Sequence, residues 1–203
     1  MPRRFVSERR RDPFYRAAQR EGLRSRAAFK LAYLAERFPV FHEGDRVLDL
    51  GASPGGWSMI AHQCLGDRGE VVAVDPRKLE PIPGVIYMRG EVGSPALAAR
   101  LKGRSFDVVL SDMSPRISGA YATDHARSVE LVRTGFALAK PLLVDGGTFV
   151  AKVFDGDLLD GLEADLRPLF QRFVRTKPPA SREGSSELYL LGFGFHPKAT
   201  APP

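Results

Sequence analysis

Cysteine is nearly absent from this chain. Cys64 is the single one in 203 residues, which excludes an internal disulfide and a multi-cysteine metal site. It falls in an apolar helical stretch and reads as a packing residue. Histidine is almost as sparse, with four scattered copies and no metal-ligand spacing. No apolar run approaches the roughly 18 residues that suggest a membrane span. The arginine-rich start is not followed by an apolar core, so it does not read as a secretory signal. Internal repeats are missing as well. These absences lead us to expect a cytoplasmic, metal-free protein with no membrane association. With no evident apolar repeat to expose, a monomer is expected.

What is present is ordinary globular composition, 43% hydrophobic and 27% charged, at a length that suits one domain. The charge is unevenly placed. Residues 1–30 hold ten Lys/Arg against three Asp/Glu, while the rest of the chain holds 20 against 21. The whole excess sits in one N-terminal block, with Phe14 and Tyr15 among the arginines. A solvated arm is one reading, and a phosphate-binding surface with aromatic rings for stacking is the other. Residues 1–12 are expected to be a basic flexible arm, 13–196 one domain and 197–203 a tail.

The chain is organised around RVLDLGASPGGW, from Arg46 to Trp57. An apolar run reads as a buried strand, breaks at a glycine-rich turn and resumes as a helix. Glycines let the backbone approach a ligand closely, and the free N–H groups of a helix start face it. The spacing is not the dinucleotide fingerprint G-x-G-x-x-G. Asp49, at the strand end beside Gly51, suits a ligand with a cationic and hydroxyl-rich part, such as S-adenosylmethionine. A dinucleotide site and a purely structural turn remain the alternatives at this point.

The remaining pattern alternates strands and helices. A helix is expected over 25–38, capped by Ser25, with Lys30 off its apolar stripe. Strands are expected at 46–50, 70–75, 85–88, 106–112 and 148–154, with helices at 57–65, 94–102, 124–143 and 157–170 between them. Two further strands, near 171–176 and 187–193, have no helix between them and should pair as an antiparallel hairpin. This predicts an α/β fold with a doubly wound, mainly parallel seven-stranded sheet and a core order 3-2-1-4-5.

Several strands end in polar residues. Asp49 to Gly56 follow the first strand, Asp75 ends the second, Glu91 follows the third, Asp112 ends the fourth and Lys152 lies late in the fifth. In this topology all fall on one edge of the sheet. Asp75 lies near the offset at which nucleotide folds hold ribose hydroxyls. Glu91 would lie at an adenine edge, with Met88 and the Trp57 indole as apolar contacts, although Trp57 as plain core is the competing reading. Lys152 interrupts an apolar strand, and lysine is rarely buried without a task. Burial favours its neutral form and Asp112 its charged form, so the balance is open.

Five segments now carry a resemblance: GLRSRAAFKL from Gly22, DLGASPGGWS from Asp49, SDMSP from Ser111, FVAKVF from Phe149 and SSELY from Ser185. Together, in order and with compatible spacing over about residues 12–196, they resemble the FtsJ (RrmJ/RlmE) family of ribosomal RNA ribose 2'-O-methyltransferases. The resemblance implies a Rossmann-like methyltransferase fold and a catalytic tetrad at Lys30, Asp112, Lys152 and Glu187. It implies S-adenosylmethionine contacts at Gly55, Trp57, Asp75, Glu91 and Asp112, beside Asp49 and Gly51 from the turn itself. It implies RNA as partner, foremost a uridine of 23S rRNA in the large ribosomal subunit, with transfer RNA as runner-up. A non-catalytic RNA-binding protein that retains the fold is the alternative from another class. Position 91 is usually aspartate in the family and is glutamate here. Arg116 stands where a smaller or neutral residue is expected. Arg167, Arg172, Arg175, Lys177 and Arg182 form a second basic segment that could add backbone contacts to RNA.

Overall fold

The computed structural model describes residues 24, 25, 27–179 and 185–197. Most of the basic N-terminal block, the expected 1–12 arm and Arg182 lie outside them. The described chain forms α1 (Ala27–Arg37), β1 (Arg46–Leu50), α2 (Gly56–Leu65), β2 (Glu70–Asp75), β3 (Val85–Arg89), α3 (Pro95–Leu101), β4 (Phe106–Ser111), α4 (Tyr121–Ala139), β5 (Leu143–Phe154), α5 (Leu159–Leu166), β6 (Phe170–Thr176) and β7 (Glu187–Phe195). A 3-10 turn, Arg167–Leu169, joins α5 to β6.

Among these residues there is one seven-stranded sheet, in the order β3-β2-β1-β4-β5-β7-β6. The central strands β1, β2 and β4 are buried almost throughout, as continuous apolar runs covered on both faces require. Helices α1 and α2 cover one face, where Leu31, Leu34, Trp57 and Ile60 meet Val47, Val71 and Leu110. Helices α3, α4 and α5 cover the other, where Leu97, Val132, Phe136 and Leu162 meet Leu48, Val72 and Val109.

The strands β1 to β5 are parallel, so their carboxyl ends share one edge. Leu50 is level with Val74 and Ser111, and Ser111 with Ala151, which brings Asp112 beside Lys152. Strand β7 runs antiparallel between β5 and β6, with Lys152 opposite Tyr189 and Phe154 opposite Glu187. The expected hairpin is therefore present, and its second strand is the one that lies against the parallel core. The reason is hydrophobicity: Leu188 to Phe195 is almost continuously apolar, whereas β6 carries exposed Gln171, Arg172 and Arg175 and takes the edge.

Four local expectations are corrected. Cys64 is exposed on α2 and packs no core. Ser25 does not cap α1 with its side chain, since its buried Oγ makes no hydrogen bond among the described residues. Strand β5 starts at Leu143, not at 148, with Gly146 and Gly147 inside it where its register against Phe106 and Val108 of β4 shifts, and α4 ends at Ala139, not at 143. Finally, Lys30 is not off the buried face of α1: with Ala28, Leu31 and Leu34 it belongs to it.

Candidate active site

Two cavities open on the carboxyl edge. The larger, of about 940 Å³, lies over the glycine turn and is lined by Gly51, Ser53, Asp75, Glu91, Asp112 and Lys152 among others. Gly51 has φ 77°, and a Cβ there would stand 2.8 Å from Met113 Cγ, so the turn and the segment after β4 touch through a missing side chain. Gly55, at φ 108°, precedes α2, and a Cβ on it would meet Ile82 Cδ1 at 2.6 Å. Its glycine character serves packing against the segment after β2. Arg24 holds that same segment, donating to the carbonyls of Glu80 and Pro81 at 2.5 and 2.6 Å.

Three side chains expected near the cofactor have partners within the fold. The Trp57 indole is buried in the core, donates from Nε1 to the Ala27 carbonyl at 2.9 Å and packs on the Tyr189 ring with centroids 5.7 Å apart. It therefore supports α1 from within and offers no apolar wall to the cavity. Met88 packs against the α3–α5 core, and Val92, Met113 and Leu131 supply the apolar lining instead. Asp49 is sealed beneath the turn. One carboxylate oxygen accepts from Ser58 Oγ at 2.5 Å, and the other has no hydrogen-bond partner among the described residues. Burial, with the charges of Asp112 and Asp75 adding to it, outweighs the Ser58 bond and pushes the Asp49 carboxyl up to about 7.

Asp75 and Glu91 both line the larger cavity. Sequence reasoning missed Arg77. Asp75 accepts from the Ser53 amide at 3.0 Å, the Arg77 amide at 2.8 Å and Arg77 Nε at 3.2 Å, so its carboxylate is already oriented. Arg116, Arg127, Glu130 and Leu131 also reach the cavity. The last three sit at helical spacing along α4, a signal that the sequence carried on the polar side of the helix.

The four tetrad positions come together as two ion pairs. Lys152 is buried, and its Nζ donates to the Asp112 carbonyl at 2.9 Å and lies 3.0 Å from Asp112 Oδ1. Lys30, also buried, pairs with Glu187 Oε2 in a very short contact, and its Nζ stands 5.8 Å from the centroid of the Tyr189 ring. Phe154 pairs with Glu187 as Lys152 pairs with Tyr189, so the two ion pairs lie two residues, ~7 Å, apart along β5 and β7. At Nζ of Lys152, the contact to the Asp112 carbonyl is a hydrogen bond, and the carboxylate lies beside it as a charge partner.

A clamp fixes this end of β5. Asp124 accepts from the Ser118 amide and hydroxyl at 2.8 and 2.7 Å and from the Gly119 amide at 3.0 Å. Those bonds, led by the Ser118 amide, hold its carboxyl below the usual carboxylate range. His125 Nδ1 stands 2.9 Å from the Phe154 carbonyl, and the Leu158 amide donates to Nε2 at 3.0 Å, which assigns the neutral ring with its proton on Nδ1. Ser128 Oγ accepts from the Phe154 amide at 3.0 Å. The second basic segment is less available than its composition implied. Arg167 and Arg175 pair with Glu163 at 2.8 and 3.1 Å, and Arg172 lies over the rings of Phe38 and Phe193.

A doubly wound sheet, a glycine turn with a carboxylate at the end of the next strand, and a buried lysine at the fifth strand's edge define a Rossmann-like methyltransferase. The comparison with known families agrees and is more specific. The family model described as FtsJ-like methyltransferase matches residues 23–195, and the chain belongs to that family. It is similar to the ribosomal RNA large subunit methyltransferase E of Natronomonas pharaonis, at 45% identity over 95% of this chain and 76% of the relative. The protein of the same description from Archaeoglobus fulgidus is 44% identical over 92% of this chain and 97% of its own. Among solved structures, a Plasmodium falciparum chain described as a ribosomal RNA methyltransferase superposes with a TM-score of 0.75 at 27% identity, covering 85% of this chain and 98% of that one.

Proposed function

We propose that this protein transfers a methyl group from S-adenosylmethionine to the 2'-hydroxyl of a ribose in the RNA of the large ribosomal subunit, at a uridine, in the cytoplasm. The observation that carries the reading is Lys152: a buried lysine tied to Asp112 at the edge of the donor cavity, one step along the sheet from the Lys30–Glu187 pair. The relatives' shared description as large-subunit RNA methyltransferases supports the substrate.

The donor, when bound, supplies a methyl group already activated on a sulfonium. The rest falls to the chain. Asp75 and Glu91 would hold the nucleoside part, with Val92, Met113 and Leu131 as apolar walls. Asp112 orients Lys152 through both its carboxylate and its carbonyl. Lys152, entering the step as the neutral amine with N–H groups turned to Asp112 and its lone pair to the 2'-hydroxyl, holds that hydroxyl in line and takes its proton as the new O–C bond forms and the S–C bond breaks. Lys30 and Glu187 set the ribose and its neighbouring phosphate. Orientation of this kind supplies several kcal/mol of such a barrier, on the order of 7–11 for ideal alignment.

Lys152→Ala tests the assignment. Labelled-methyl transfer to large ribosomal subunits is expected to fall by roughly 100-fold or more, the scale of a positioned acid–base group, while donor affinity measured by calorimetry holds. Undiminished transfer would remove Lys152 from the chemistry. Mapping 2'-O-methylation in ribosomal and transfer RNA, from cells with and without the protein, then decides the substrate.

A further inference from the structure

The segment from Asp112 to Tyr121 divides the carboxyl edge in two. Its first part, Met113 to Arg116, walls the donor cavity. Its second part, Ile117, Gly119 and Tyr121, walls a smaller cavity of about 340 Å³, closed on the far side by Ser185, Ser186 and Glu187. Glu187 is thus shared between this cavity and the tetrad. The methyl-transfer chemistry of the tetrad assigns no occupant to it.

Its chemistry is unusual for the surface around it. Four large apolar side chains are exposed among the described residues, and two of them, Ile117 at 65% and Tyr121 at 61%, are walls of this cavity. The Tyr121 hydroxyl donates to the Asp155 carbonyl at 2.6 Å, so the ring is held in place while much of it stays in solvent. Such a platform is pre-ordered for stacking. Among the described residues the lining contains no lysine or arginine, and it includes the carboxylates of Asp124 and Glu187. The lining thus offers a phosphate no cation of its own. A flat, uncharged ring with polar edge groups is matched by the tyrosine face and the serine hydroxyls.

We infer that this smaller cavity receives the base of the acceptor nucleotide, unstacked from the RNA and laid on Tyr121 beside Ile117. The inference rests on the proposal that the chain methylates an RNA ribose. A ribose brought up to Lys152 leaves its stack, and its base then needs a surface on the acceptor side of the tetrad. Here that surface is built from the segment between β4 and α4 and the residues that lead into β7.

The test is steady-state methyl transfer to large ribosomal subunits isolated from cells lacking the protein, at saturating donor. Tyr121→Ala and Ile117→Ala are each expected to raise KM for the subunits by about tenfold, within the range that removing a base-stacking side chain produces. The KM for donor should stay fixed, because its cavity lies across the dividing segment. Tyr121→Phe, which keeps the ring and loses the hydroxyl, should bring the subunit KM back toward wild type. Ile86→Ala, the removal of an exposed apolar side chain on β3, serves as the control and should leave it unchanged. Thermal melting checks that the variants are folded. Wild-type transfer with an unaltered KM in Tyr121→Ala and Ile117→Ala overturns the cavity assignment alone. An equal rise in Tyr121→Phe overturns the stacking role. Wild-type protein that methylates no ribosomal RNA overturns the proposed function, and this inference with it.

Discussion

Asp49 is an acidic side chain sealed beneath the glycine turn. Its place at the end of β1 marked it as a candidate ligand contact, yet the fold buries it completely, bound to Ser58 on one side only. With its carboxyl pushed up to about 7 from an ordinary 3.8, the folded chain keeps a proton that the unfolded chain has released across that window. Stability from this group is fully present below the unfolded value and is lost as pH rises through the folded one. Asp49→Asn keeps an acceptor for Ser58 and cannot ionise. Urea unfolding of both proteins from pH 4.5 to 8 is expected to show the variant gaining on wild type as pH rises. At ~1.36 kcal/mol per pH unit the gain reaches at most about 4 kcal/mol. A difference that stays constant with pH would mean that Asp49 is ionised throughout. Trp57 is a parallel case without a charge. An indole is apolar with one donor, so it serves a core as readily as a cavity wall. Only the partner, here the Ala27 carbonyl, separates the two.

At the scale of elements, the parallel core was legible because each buried strand is a short apolar run followed by a turn or a polar residue. The carboxyl-edge convergence of Asp75, Asp112 and Lys152 followed from that alternation and the right-handed crossover. Two features were less legible. The start of α4 lies at Tyr121, three residues before the expected Asp124, because Asp124 reaches back to Ser118 and Gly119 from inside the first turn. The smaller cavity is assembled from two separate loops and the end of β5, so no single stretch announces it. The Asp124 clamp is what gives the dividing segment a fixed shape. Its carboxyl is held low, so the clamp is intact above the usual carboxylate range and is lost as pH falls through the folded value. At pH 7, Asp124→Ala is expected to speed amide exchange at Ser118 and Gly119, with residues of β2 and β3 as unaffected references. Unchanged protection at those two amides would show that the segment is ordered by other interactions.

For the molecule as a whole, charge and geometry divide the labour. Arg167 and Arg175 are engaged by Glu163, so these two arginines of the second basic segment add little free positive field. The unmatched excess is the N-terminal block, seven positive charges over the first 30 residues, which leads directly into Lys30. On the proposed function, that block is the part of the sequence suited to phosphate contacts, which position RNA without reading it, and selection would fall to RNA shape and to the cavity beside Tyr121. The consequence is a salt dependence that can be assigned to particular residues. Replacing Arg3, Arg4, Arg9, Arg10 and Arg11 with Gln should weaken binding to unrelated RNA sequences alike. It should also flatten the slope of log affinity against log salt by roughly 0.7 for each single-strand phosphate that the variant no longer neutralises. Filter binding across a salt series, on wild type and the variant, measures both. If the slope is the same in the two proteins, the arginines are a solvated arm, and the RNA is held by the folded domain alone.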